Sequence, residues 1–73
     1  MTIAQRIKKW REHAGLTPSA LASACRVSVP AVYYWEQGKT SPRHENIEKI
    51  ALACGVTIPV FWSDPPRKQN RSS

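Results

Sequence analysis

Acidic side chains are scarce in this chain. Five Asp or Glu stand against eleven Lys or Arg in 73 residues, a formal net charge of +6. Such a balance disfavours a basic partner and favours a polyanion, nucleic acid first. Residues 64–73 hold three bases and one acid and so carry +2 of the +6, which leaves +4 for residues 1–63. Cysteine is nearly as rare: two residues allow at most one disulfide, and a reducing cytosol disfavours even that. Cys25 and Cys54 fall on apolar helix faces, where thiols act as small hydrophobes. His13 and His44 are the only other soft ligands, and no CxxC or HxxxH spacing links them, so neither a metal site nor a cofactor is expected. No oxyanion hole or substrate pocket can be assembled from these residues, which argues against an enzyme. Uncharged stretches all fall short of the roughly 20 residues that span a bilayer. The start MTIAQRIKKW carries charge every few residues, unlike a signal peptide. A soluble, cytoplasmic domain with no membrane partner is expected. The length allows one small domain and excludes an enzyme built around an interdomain cleft.

The remaining pattern is helical, with no strand signal and no internal repeat. Ile3, Ile7, Trp10 and Ala14 recur at a 3.6-residue period and predict a helix over residues 2–14, with Arg6, Lys8, Lys9 and Glu12 mostly on its solvent side. Gly15 stops it. Thr17 then caps a short helix from Pro18 to Cys25 that turns Leu21, Ala22 and Cys25 inward. Arg26-Val27 is a break, and Ser28 caps a third helix from Val29 to Gln37. Pro30 is tolerated there because it lies in the first turn. Val32 and Trp35 face the core, and adjacent Tyr33 and Tyr34 cannot both do so. After Gly38 and the loop Lys39-Thr40-Ser41-Pro42, a fourth helix runs from about Arg43 to Cys54. It buries Ile47, Ile50, Ala51 and Cys54. Gly55 ends it, and Thr57-Ile58-Pro59 opens a last helical turn with Ile58 and Phe61 inward. Residues 64–73 read as a basic, disordered tail. The expected architecture is all-α, a compact bundle of five short helices in a domain over residues 1–63.

Within it, Thr17 to Gln37 form helix, tight break, helix. That is the helix-turn-helix geometry, whose second helix fits the DNA major groove. The blocks IKKWREHAGLTPSALA, CRVSVPAVYYWEQGKTSP and IEKIALACGVTIPVFW carry a further signal. In them Arg11 before AGL, Leu21-Ala22, Val27-Ser28, Trp35-Glu36-Gln37-Gly38-Lys39, Pro42, Ile50-Ala51 and Gly55-Val56 stand in register. On these blocks, spanning Ile3 to Trp62, the sequence resembles the XRE, or Cro/lambda-repressor type, helix-turn-helix proteins.

The resemblance implies a sequence-specific duplex DNA-binding regulator of transcription. It suggests a small phage-type repressor acting as a homodimer on a near-palindromic operator, with helix 29–37 in the groove. Two departures stand out. Arg26 replaces the usual Gly of the break, where φ is positive and a side chain costs about 1 kcal/mol. Val29, Pro30 and Ala31 replace the usual polar base-reading side chains. Apolar contact of these three with thymine methyls is expected, with Tyr34 supplying the polar reading and Tyr33 a second candidate for a base or a phosphate. By the same resemblance, Arg11 and Glu36 form an internal ion pair joining helix one to helix three. Lys39, Thr40, Ser41 and Arg43 meet phosphates, with Thr17, Ser19, Ser28 and Gln37 as further candidates. Trp10 and Trp35 belong to the core, whereas Val60 and Trp62 either cover helix one or form a dimer contact, the dimer being favoured. The alternatives of an antitoxin that binds a toxin and autoregulates its operon, or a restriction-modification controller, remain open on sequence.

Overall fold

The computed structural model describes residues 1–66. Its five helices are α1 (Ile3–His13), α2 (Pro18–Cys25), α3 (Val29–Gln37), α4 (His44–Ala53) and α5 (Ile58–Phe61). There is no strand among the described residues, and no helix is long and apolar enough to cross a membrane. Residues 67–73 of the expected tail lie outside the described residues.

Four of the five helix starts follow one device, and α4 opens at Arg43 without a side-chain cap. Thr2, Thr17, Ser28 and Thr57 each have extended backbone, and each side-chain oxygen accepts from the backbone N–H three residues on, satisfying a donor that the helix leaves orphaned. Thr2 and Gln5 complete a reciprocal capping box. Prolines stand in the first turns of α2, α3 and α5, where a missing N–H costs nothing.

The ends of α1 to α4 are equally uniform. After α2, Arg26 N–H donates to Ser23 O at 3.2 Å and Val27 N–H to Ala22 O at 3.0 Å. The same pair of bonds follows α1, α3 and α4, with Gly15, Gly38 and Gly55 in the place of Arg26. This is the Schellman closure, which needs left-handed backbone at its central residue. Arg26 supplies it at φ 58°, the only non-glycine with positive φ among the described residues.

Packing joins α1 to α3, α2 to α3 and α4, and α4 to α5. The shared core contains Ile7, Trp10, Leu21, Ala22, Cys25, Val32, Trp35, Ile47, Ile50, Ala51 and Phe61. Cys54 is half-buried rather than fully inside. One expectation is corrected. Arg6 does not belong to the solvated side of α1, since its side chain is only 13% exposed. It donates to Ser63 O at 2.7 Å and pairs with Asp64 at 3.3 Å. Trp10 Nε1 donates to Phe61 O at 2.9 Å nearby. These contacts fasten the chain after α5 onto α1.

Candidate nucleic-acid interface

The frame of the site is polar and partly buried. Arg11 on α1 donates from Nε to Glu36 Oε2 at 2.6 Å and from Nη2 to Glu36 Oε1 at 3.1 Å. Its third nitrogen, Nη1, donates to Leu16 O at 2.9 Å. Side-chain exposures of 11% and 9% leave this pair little water. The Glu36 hydrogen bond, opposed by desolvation, raises the Arg11 pKa above its ordinary value, so the guanidinium stays charged. One side chain thus ties α1, the entry to α2 and the far end of α3 together. Its planar fork matches the carboxylate in a way lysine could not.

On this frame α3 has two unlike sides. Val32 and Trp35 are buried, while Pro30, Tyr33, Tyr34 and Gln37 are exposed; their spacings of three and four put them on one outward stripe. Ala31 and Val29 flank it, both half-buried, and Val29 packs partly against the core. The exposed tip of the helix is therefore Ser28 and Pro30, with Ala31 beside them. Ser28 carries the polar side chain of this tip, and Pro30 and Ala31 carry none. Pro30 has no N–H, and the Ala31 N–H is engaged by Ser28 through both its carbonyl and its hydroxyl oxygen.

The segments on either side of α3 are polar and exposed. Ser19 lies in the first turn of α2, whose cap is Thr17. Lys39, Thr40, Ser41 and Arg43 are all exposed after α3. Lys39 and Thr40 N–H groups close on Tyr34 O at 3.0 and 3.5 Å, and buried Pro42 pins the loop. The Lys39 ammonium sits 5.8 Å from the centre of the Tyr34 ring, a cation–π approach that joins loop to stripe. Val60 and Trp62 are exposed on α5 and just beyond it, with the Trp62 ring edge-on to Phe61.

Among the described residues, no group of three or more His, Cys, Asp or Glu could hold a metal ion. Burial pushes both thiols up, Cys54 to about 11. The Arg6 contacts were missed in sequence because Ser63 lies 57 residues away and no periodicity links them. The capping box at the start of α1 is a short-range signal, Thr2-x-x-Gln5.

Comparison with known proteins agrees with this geometry. HTH-type transcriptional regulator DdrOP3 of Deinococcus deserti is 31% identical over 58 residues, which are 80% of this chain and 45% of that protein. The chain thus spans somewhat under half the length of this curated relative. The solution structure of the P22 c2 repressor DNA-binding domain superposes with a TM-score of 0.78 at 24% identity, covering 85% of this chain and 82% of that one. The P22 c2 repressor in complex with a synthetic operator gives a TM-score of 0.73 at 24% identity, over 84% and 92% of the two chains. The helix-turn-helix family model matches residues 7–61, from the middle of α1 to the last residue of α5. The chain belongs to the helix-turn-helix family, as its resemblance to XRE-type proteins implied.

Proposed function

We propose that this chain is a sequence-specific duplex DNA-binding regulator of transcription, a cytoplasmic repressor rather than an enzyme. It places α3 in the major groove and acts as a homodimer on a near-palindromic operator. The observation that carries the reading is the outward stripe of α3, held rigidly by the Arg11–Glu36 pair and flanked by an exposed basic loop. An α-helix fits the major groove, and the residues near its start reach base edges. Tyr34 supplies the polar reading of a base, and Tyr33 meets a neighbouring base or phosphate. The tip formed by Val29, Pro30 and Ala31 presses on thymine methyls. Lys39, Thr40, Ser41 and Arg43 hold phosphates on one side and Ser28, Thr17 and Ser19 on the other, with Gln37 at the far end of the stripe. Val60 and Trp62 offer an apolar surface for the second copy.

Selection of bound sites from a random duplex library at near-physiological salt tests this. Two half-sites about one helical turn apart are expected. Binding without any enriched motif, collapsing as salt rises, would contradict base reading. A stable complex with a toxin-like protein instead of DNA would favour the antitoxin alternative.

A further inference from the structure

Beyond the Ser28 cap, the Pro30–Ala31 surface of α3 is short of hydrogen-bonding groups, and that shortage has a chemical consequence. Pro30 contributes neither a polar side chain nor an N–H. Ala31 has only a methyl, and its N–H is spent on Ser28. Val29 is partly buried against the core, and what it shows is aliphatic. In the major groove, thymine presents a C5 methyl beside an O4 acceptor, whereas cytosine presents an N4 donor and no methyl. A tip that neither donates nor accepts can feel the methyl and remains indifferent to the polar atom next to it.

We infer that the Pro30–Ala31 tip recognises a C5-methylated pyrimidine as such, and takes 5-methylcytosine in place of thymine at the base pair it covers. The inference rests on α3 reading DNA in the groove, and it narrows the ligand from a base to one methyl group. Tyr34, one turn further along and carrying a hydroxyl, retains full discrimination at its own base pair. Methylation of cytosine would then create or strengthen binding sites for this protein instead of blocking them.

Three random duplex libraries test the inference with the intact chain. One is made with the ordinary nucleotides, one with 5-methylcytosine in place of cytosine, and one with uracil in place of thymine. The ordinary library should enrich thymine at one or more inner positions of each half-site. The methylated library should let cytosine rise there to the thymine level, while other positions stay unchanged. The uracil library should lose the preference, by about four-fold per methyl, the factor that about 0.8 kcal/mol per buried CH₂ gives. Cytosine still rejected when methylated, or uracil accepted as readily as thymine, would overturn the inference while leaving sequence-specific binding intact. No motif in any library would remove the DNA-reading proposal itself, and the inference with it. The variant Pro30→Ser, at an exposed first-turn position, guards against an effect of methylation on groove shape. Its methyl preference should shrink, and an undiminished preference would assign the effect to the DNA and overturn the contact.

Discussion

The turn between α2 and α3 and the turn between α4 and α5 are built from nearly the same residues. Ala24-Cys25-Arg26-Val27-Ser28-Val29-Pro30 leads into α3, and Ala53-Cys54-Gly55-Val56-Thr57-Ile58-Pro59 leads into α5. Both close with paired Schellman bonds, and both open the next helix with a hydroxyl cap and an early proline. The outcomes differ. Helix α3 runs nine residues, buries Val32 and Trp35 and is braced by Glu36. Helix α5 runs four residues and buries Phe61. Both leave large side chains in water, with Tyr33 and Tyr34 at 49% and 46% exposed and Val60 and Trp62 at 43% and 47%. The α3 pair carries hydroxyls and neighbours Lys39, whereas the α5 pair is almost wholly apolar. A local turn thus does not by itself distinguish the helix proposed to read DNA from the short α5. Length beyond the turn, a brace to the rest of the core and cationic neighbours set α3 apart.

Removing the brace should have the largest effect. Glu36→Ala leaves Arg11 charged and partly buried beside Leu16 O, and should cost about 3–5 kcal/mol, measured by urea denaturation. A loss under about 1 kcal/mol would mean that α3 is held by apolar packing alone. Next comes the α5 surface. If Trp62 anchors the proposed homodimer, Trp62→Ala should weaken self-association at least about ten-fold, as truncation of an aromatic interface anchor commonly does, while a single half-site binds as before. Sedimentation and half-site titration would separate the two.

The turns themselves can be exchanged. Gly55→Ala should cost about 1 kcal/mol through its left-handed backbone, since φ is 76° and an added Cβ would meet nothing within 4 Å. Arg26→Gly should gain less than that, because glycine also loosens the unfolded chain. Thermal unfolding of both variants tests the sign in each turn. Lys39→Gln should flatten the plot of log affinity against log salt by about one unit without altering the selected motif. The smallest effect concerns the free cysteine Cys54. The Cys54 thiol is raised from 9.0 to about 11, chiefly by burial. Its contribution to stability is therefore complete below pH 9 and is lost as pH rises towards 11. Cys54→Ala should show a shallower loss over that window in denaturation at several pH values.

Much of this was legible in the residues. The caps Thr17, Ser28 and Thr57 and the stops Gly15, Gly38 and Gly55 are short-range signals, each fixed by a backbone group within a few positions. The Arg11–Glu36 pair came from family resemblance, not from spacing, and the side chains meet as that resemblance implied. Long-range polar contacts were not legible. Arg6 sits where a helical period assigns solvent, and only the return of Ser63 and Asp64 covers it. The sequence puts Val29 with the base-reading tip, yet the first turn of α3 draws it partly towards the core, which sequence spacing alone cannot show. The recurrence of the turn was hidden because Arg26 replaces glycine and the two following helices differ in length, so no repeat period emerges.

On the proposed reading, α3 and its flanks, and not the look-alike α5 end, meet DNA. An NMR titration of the isotopically labelled chain with a short duplex at low salt tests it directly, because sequence-independent binding uses the same phosphate-facing surface. Reading by α3 predicts amide shifts concentrated at Thr17 to Ala20, Ser28 to Tyr34 and Lys39 to Arg43, with Leu52 to Val60 unmoved. Shifts centred on Val60 and Trp62, with the α3 tip silent, would contradict it.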